Sequence, residues 1–270
     1  MRERTIEAGP RGVSRVLRLL ELFATDSKPL RLADIQRELD MPVSSCHVLL
    51  QEMIRLGYLQ ATQDRRYEKS VQMIVLGSRI RSASDLHAAS RDVLERLHAE
   101  TEDTVHLATA SEREIIYVDG IEAASGIISR VPFGSSRPLH ASSPGYVFLA
   151  YAVDPANLDN LLGPEPYKAY TPYTVTDRDK LLTIVREVRR QGYGIALQAQ
   201  NSGMFGLCAP IFRAGGKLGG ALSISAPLDK YSGGYVQLAS LVTRSAAEVT
   251  RRLGGGEWRD IVAGFALLDR

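Results

Sequence analysis

The chain has 270 residues, enough for one large domain or two of ordinary size. Its composition, 44% hydrophobic and 24% charged, is typical of a soluble globular protein, and no apolar run reaches the roughly 18 residues of a membrane helix. The net charge of +2 does not by itself identify a nucleic-acid-binding protein. The charged first ten residues lack the apolar core of a secretory signal. The two distant cysteines, Cys46 and Cys208, favour a reduced cytoplasmic protein over one with a disulfide or a metal site.

The positive charge is concentrated at the beginning of the chain. Residues 1–70 carry twelve Lys and Arg against ten Asp and Glu, and the remainder is neutral. Arginines dominate the first twenty residues, and Arg11 and Arg15 are placed to contact DNA phosphates. A charged terminus without such a role would be about as common, so the charge alone does not decide.

Three short helices are predicted between residues 13 and 57, because apolar residues recur there at helical spacing. Pro42 suits the first position of the third helix, and Gly57 suits a left-handed cap at its end. Two short helices joined by a tight turn are typical of a helix-turn-helix. The residues expected to face the core are Val13, Val16, Leu17, Leu20, Phe23 and Ala24, then Leu32, Ile35 and Leu39, then Cys46, Leu49, Leu50 and Met53.

Residues 58–61 and 66–69 alternate as two short strands of a hairpin, and its tip carries Arg65 and Arg66. Three helices followed by a hairpin predict a winged helix whose wing meets the DNA backbone. The outward positions of the third helix would read DNA, since hydroxyls and amides bond phosphates and base edges. These positions are Ser44, Ser45, His47, Val48 and Gln51. In the alternative reading the serines only cap the helix and the histidine is a surface residue.

Three stretches, SRVLRLLELFA, PLRLADIQRELDMPVSSCHVLLQEMIRLGYL and RRYEKSVQMIVLG, resemble the DNA-binding domain of the isocitrate lyase regulator (IclR) family. The resemblance implies a double-stranded DNA operator as partner. That family usually has a lysine at the position of Val43 and an arginine at that of Val48, so two cationic contacts are missing here. The arm and the wing would then carry more of the binding.

Residues 71–100 are predicted to form linker helices with a bend at 82–84. They would either hold a homodimer, or a dimer of dimers, together or pack against the following domain. The predicted domains are a winged helix over 1–70, the linker over 71–100, an effector-binding domain over 101–253 and an extension over 254–270. In the extension, Trp258, Ile261, Val262 and Phe265 recur at helical spacing, which indicates a packed helix.

The region after residue 100 predicts an α+β domain with a mixed sheet flanked by helices, an architecture that GAF and PAS sensors share with many other α+β folds. Strands are expected at 104–110, 114–119, 127–131, 193–197, 206–212 and 218–225, and helices at about 144–153, from about 176 to about 192, and at 235–253. Residues 214–217 predict a tight hairpin between the last two strands.

Segments including RPLHASSPGYVFLA and CAPIFRAGGKLGGALSISAP resemble the effector-binding domain of the same family. The resemblance implies a pocket that binds a small organic effector. Gln198, Gln200 and Met204 stand where the family often has charged residues, which favours a neutral or aromatic effector. Arg130 or Arg137 would supply a cation if either faced inward. The pocket residues implied are Ser142, Ser143, Pro144, Gln198, Cys208, Ser223 and Ser225.

No catalytic, metal-binding or cofactor motif is found, so an enzyme is not expected. His106 and His140 are interpreted as structural histidines, and Cys208 lacks the context of a nucleophile. The predicted function is a ligand-responsive, sequence-specific DNA-binding transcriptional regulator, with a repressor as the working hypothesis. The alternative is a small-molecule sensor that acts through protein contacts without specific DNA binding.

Overall fold

The computed structural model describes residues 11–25, 28–111, 113–124, 134–152 and 158–267. The chain divides into two units, here called the N-terminal unit (Met1–Ala83) and the C-terminal unit (Ser84–Arg270). The strand predicted at 127–131 lies outside the described residues, as does Arg130.

The N-terminal unit is a winged helix, as predicted. Its elements are α1 (Arg11–Thr25), α2 (Leu32–Leu39), α3 (Val43–Arg55), the antiparallel strands β1 (Leu59–Ala61) and β2 (Tyr67–Lys69), and α4 (Val71–Ser82). One apolar core joins the first three helices to the hairpin. Its buried members include Leu19, Phe23, Ile35, Leu39, Cys46, Leu50, Met53, Leu59 and Tyr67.

Backbone geometry fixes both ends of α3. Pro42 caps the helix from just outside it rather than occupying the first turn, and Gly57 has φ +82°, as a left-handed cap requires. The amide of Tyr58 donates to the carbonyl of Met53 and that of Gly57 to the carbonyl of Ile54, each at 2.9 Å. This is the Schellman arrangement, and it turns the chain directly into the wing.

The stripe predicted for α1 is wrong at three positions. Val13 and Leu17 are 57% and 49% exposed, and Ala24 is exposed too, whereas Leu19 and Phe23 are buried. Apolar residues occupy more than one side of α1, so periodicity alone allowed a neighbouring stripe to be chosen. Packing against α2 within the shared core selects the face centred on Leu19 and Phe23.

The helix α4 has no buried residue. Val71, Ile74 and Ile80 are 73%, 64% and 65% exposed, although each is a large apolar side chain. The helix is interrupted at the position where the sequence predicted a bend, since α4 ends at Ser82 and α5 begins at Asp85. The boundaries proposed for the linker remain a prediction.

The C-terminal unit is built on a six-stranded sheet of order β5-β4-β3-β8-β7-β6. Every pairing between these described strands is antiparallel, so the expectation of a mixed sheet is corrected. The hairpin predicted at 214–217 connects β7 to β8. The strands are β3 (Thr104–Ser111), β4 (Glu114–Ile121), β5 (Ser136–Pro138), β6 (Gly194–Leu197), β7 (Met204–Phe212) and β8 (Leu218–Pro227).

Helices surround this sheet, and the overall class is α+β, as predicted. They are α5 (Asp85–Thr101), α6 (Ser143–Tyr151), α7 (Leu158–Leu162), α8 (Arg178–Gln191), α9 (Val236–Arg252) and α10 (Trp258–Ala266). The pair α5 and α9 packs together against the sheet, and α6 packs against β6, β7 and β8. In the part of the chain that the structure describes, no helix is long and apolar enough to cross a membrane.

The C-terminal extension packs on its own unit through α10. The Trp258 indole donates to the carbonyl of Pro210 at 2.7 Å, and Trp258 and Val262 are buried. The ring lies against Gly192, where a Cβ would come within 2.6 Å of it. Gly192, the residue that ends α8, therefore leaves the space into which Trp258 of α10 packs.

Both cysteines are core residues. Cys46 lies in α3 and Cys208 in β7, and each side chain is 0% exposed. Burial raises the pKa of both thiols, and it raises that of Cys208 well above its ordinary value.

Candidate functional site

The outer face of α3 is free in the N-terminal unit. Cys46, Leu50 and Met53 anchor the helix to the core, and the intervening positions face outward because a helix repeats every 3.6 residues. All five residues predicted on this face are exposed: Ser44, Ser45, His47, Val48 and Gln51. Their roles in reading DNA remain a prediction.

The tip of the wing presents one arginine fully and one partly. Arg65 is exposed and lies in the turn between β1 and β2 with φ +60°. The Nε atom of Arg66 lies 2.7 Å from a carboxylate oxygen of Asp64, so part of its charge is already neutralised. Arg15 is half-buried, and the side chain of Arg11 lies outside the described part. Arg65 is thus the more exposed of the two wing arginines, and Arg66 is the one paired with a carboxylate.

In the C-terminal unit, small residues open a recess over the sheet. Residues directly opposite one another in antiparallel strands share a face. The register places Ser223 opposite both His106 and Cys208, and Ser225 opposite Gly206. Gly194 and Ala196 continue these two rows on β6. The short side chains leave space above β6, β7 and β8 that larger ones would fill.

The first turn of α6 covers this space. The Ser142 hydroxyl caps the helix, accepting from the Gly145 amide at 3.2 Å and donating to the Pro138 carbonyl at 2.9 Å. The Ser143 hydroxyl oxygen reaches within 2.9 Å of where a Cβ on Gly206 would lie. The beginning of α6 and the bare backbone of β7 are therefore in close approach.

A cavity lies between this turn and the sheet. Together with its mouth it holds about 470 Å³ free of protein atoms. Four of the predicted effector residues line it: Ser142, Ser143, Ser223 and Ser225. Other polar and aromatic side chains around it are His106, Tyr117, Arg137, Gln200, Asn201 and Phe205.

Three predicted effector residues are not part of this lining. Pro144 is buried in the first turn of α6. The Gln198 side chain accepts a bond from the Gly203 amide at 2.8 Å, so it closes the loop between β6 and β7. Cys208 is fully buried opposite Ser223, on the same face of the sheet, but it does not reach the cavity surface. A role of these three in binding an effector stays a prediction.

The sequence did not decide whether Arg130 or Arg137 faces the cavity, and the structure places Arg137 in its lining. It lies on β5 opposite Ile115 and reaches the cavity beside Tyr117.

The two histidines that the sequence interpreted as structural differ in their bonding. The Nε2 atom of His140 is hydrogen-bonded to the Lys168 carbonyl at 2.9 Å. His106 is buried, but in the described structure neither of its ring nitrogens has a hydrogen-bond partner. Sequence analysis did not identify His106 as a cavity residue. The only signal was that it pairs with small residues of the neighbouring strands, and this is visible only once the strand register is known.

A pH effect follows from His106. Burial, aided by the charge of Arg137, lowers its pKa from 6.5 to about 4. Between these values the unfolded chain binds a proton that the folded chain does not, so stability is complete above pH 6.5 and is lost as the pH falls toward 4. Urea unfolding should show a loss of about 2 kcal/mol from this group between about pH 7 and pH 5. The His106→Phe variant should lack that part, and equal pH dependence of both proteins would contradict the assignment.

A winged helix joined to a domain with a polar cavity defines a DNA-binding regulator that responds to a small molecule. Two family models match the chain: the IclR helix-turn-helix domain over residues 12–63 and the C-terminal domain of bacterial IclR transcriptional regulators over residues 79–251. The chain therefore belongs to the IclR family of bacterial transcriptional regulators.

Individual relatives agree with this assignment. The regulator KdgR of Escherichia coli is 26% identical over 253 residues, 92% of this chain and 96% of that protein. The transcriptional repressor IclR of Escherichia coli is 27% identical over 247 residues, 90% of either chain. An IclR homologue from Microbacterium hydrocarbonoxydans, solved with 4-hydroxybenzoate, has a TM-score of 0.78 at 24% identity, covering 91% of this chain and 100% of that one, which supports the fold.

Proposed function

We propose that this protein binds a specific operator through the outer face of α3 and the wing, and that an effector in the C-terminal cavity controls this binding. The single observation that carries the proposal is the exposed row from Ser44 to Gln51, held rigidly by buried residues on the opposite side of α3. A DNA-binding regulator of a bacterial family acts in the cytoplasm, where the chromosome lies.

Fluorescence anisotropy on a duplex from the region beside its own gene tests this proposal. Near physiological salt and with excess random DNA, we expect a Kd below about 0.1 µM, against roughly 1–100 µM for non-specific binding. Equal, weak binding to operator and random duplexes would instead support a sensor that acts through protein contacts.

The wing supplies a sharper test. Replacing Arg65 by alanine removes the exposed cation at the tip, so we expect several-fold weaker binding and a shallower dependence of log K on log salt, by about one ion. Arg37→Ala is the matched control, because Arg37 is an exposed arginine on α2 that pairs with Asp34. An identical loss in both variants would show that only net charge matters.

We further propose that the protein acts as a homodimer or a dimer of dimers, since helix-turn-helix proteins normally occupy paired half-sites. Support comes from α4, whose large apolar side chains Val71, Ile74 and Ile80 are exposed in the single chain. Effector binding would shift the population of head spacings, with a typical coupling of about 1–3 kcal/mol. A repressor released by its effector is the simplest such switch.

The proposed effector is a small organic molecule, and the chain is proposed not to be an enzyme. One structural relative was solved with 4-hydroxybenzoate, so the fold can hold an aromatic molecule of that size. The Cys208 thiol, which a nucleophilic mechanism would need as thiolate, is fully buried with a strongly raised pKa. The cavity thus fits binding better than turnover.

A further inference from the structure

One line of side chains on α3 points directly away from the core of the N-terminal unit. The buried residues Cys46, Leu50 and Met53 mark the inner side of the helix. Because successive residues are about 100° apart around a helix axis, the side opposite these three is a line spaced by four, three and four positions. This line, here called the outer ridge, consists of four exposed residues: Ser44, Val48, Gln51 and Arg55.

The middle of the outer ridge carries an apolar side chain. Val48 is 67% exposed, more than any other large apolar residue of α3. A β-branched residue has a lower helix propensity than the alanine, lysine or glutamate that suits an exposed helix position. A side chain left in water also adds little stability by burial. The folding of the N-terminal unit therefore gives no reason for a valine at this position.

The helix has one side chain of fixed positive charge, and that charge is already paired. The sequence of α3 contains a single arginine, Arg55, and no lysine. The Nε and Nη2 atoms of Arg55 donate to the two carboxylate oxygens of Glu52 at 2.8 and 2.6 Å. The commonest specific contact between a protein and a DNA base joins arginine or lysine to guanine. On α3 that contact is not available without breaking an existing pair.

The bases of DNA offer one apolar group to such a helix. In the major groove, guanine, cytosine and adenine present hydrogen-bond donors and acceptors, whereas thymine adds a C5 methyl group. A helix-turn-helix places its recognition helix in this groove. The side chain in the middle of the outward line is then the one that meets the base edges. For Val48 the complementary partner is the thymine methyl.

We propose that Val48 determines part of the sequence specificity by packing its two γ-methyl groups on the C5 methyl of one thymine in each operator half-site. Gln51 lies one turn further along the outer ridge, and a glutamine amide pairs with adenine. The ridge therefore selects A·T pairs. This inference rests on the proposed function, because it requires the outer face of α3 to enter DNA. It adds the base and the chemical group that the helix recognises.

Removing the methyl group from the DNA tests the proposal. The full-length protein first selects its preferred sites from a pool of random duplexes, which yields an operator without knowledge of a target gene. Each thymine of that operator is then replaced by deoxyuridine, which pairs in the same way but lacks the C5 methyl. We expect one replacement in each half-site to weaken wild-type binding about three- to tenfold, the size of one buried methyl contact.

A variant at position 48 assigns the contact. Serine and valine have similar helix propensities, so Val48→Ser should leave α3 folded. This variant should bind the thymine and deoxyuridine duplexes equally at the sensitive position. Its dependence of log K on log salt should match that of the wild type, because no phosphate contact is lost. Val236→Ser is the matched control, since Val236 is a 77% exposed valine of the C-terminal unit, and it should keep the full wild-type discrimination.

The outcomes separate the two levels of inference. If the wild type recovers no common sequence from the pool, specific operator binding is disproved and the role of Val48 is disproved with it. If the wild type selects an operator but tolerates deoxyuridine at every thymine, the proposed function stands and the role of Val48 alone is wrong. Wild-type discrimination in Val48→Ser would likewise show that a different residue contacts the methyl.

Discussion

Replacing Gly145 by alanine is expected to lower the free energy of unfolding of the C-terminal unit by about 3 kcal/mol or more. An added Cβ would lie 2.1 Å from the carbonyl oxygen of Leu139 and 2.6 Å from its carbonyl carbon. Both atoms belong to the backbone, so no side-chain rotation relieves the clash. The first turn of α6 would have to move away from the residues that precede it.

The same substitution should abolish effector binding, because that turn carries Ser142 and Ser143 over the cavity. Urea unfolding and calorimetry measure the two effects. Gly264→Ala is the control: a Cβ there meets nothing within 4 Å, and the site lies inside α10. It should leave stability unchanged or raise it by roughly 0.5–1 kcal/mol. Wild-type stability in Gly145→Ala would mean that this turn is not held as described.

Trp258→Ala should have an effect of similar size. The substitution removes a buried indole, the bond from its nitrogen to the Pro210 carbonyl, and the packing on Gly192. Large aromatic to alanine changes cost about 3–5 kcal/mol. For a unit of this size the melting temperature should fall by roughly 10 °C.

Trp258→Phe separates packing from hydrogen bonding, since it keeps an aromatic ring on Gly192 but cannot donate to Pro210. We expect it to lose less than half as much stability as the alanine variant. Differential scanning calorimetry on the full-length protein gives both values. A melting temperature unaffected by Trp258→Ala would show that α10 contributes nothing to the fold.

The winged helix could be predicted in detail because its signals are local. Pro42, Gly57 and the alternating residues of the hairpin act within a few residues of themselves, and periodicity located α3 correctly. For α1 the local signal was ambiguous, and only packing against α2 in the shared core decides that Leu19 rather than Leu17 is buried. Packing, not propensity, made that choice.

The cavity was harder to predict, because it is assembled from distant segments. The four serines were found through their resemblance to known sequences. Arg137 and His106 are 31 residues apart and meet only through the order of β5, β4 and β3. With three residues, β5 is too short to show a periodic pattern, yet it carries Arg137, the charged residue of the cavity lining. The inward position of Arg137 could therefore be recognised only once the register of β5 on β4 was known.

The burial of both thiols has a practical consequence. With Cys46 and Cys208 wholly inside the two cores, a maleimide or a nitroxide spin label should leave the folded wild type largely unmodified. A single cysteine placed at Gln63, on the exposed turn of the wing, would then be the one fast-reacting position. In the proposed dimer, spin-echo distances between two such labels would report how far apart the paired wings lie, with and without a candidate effector.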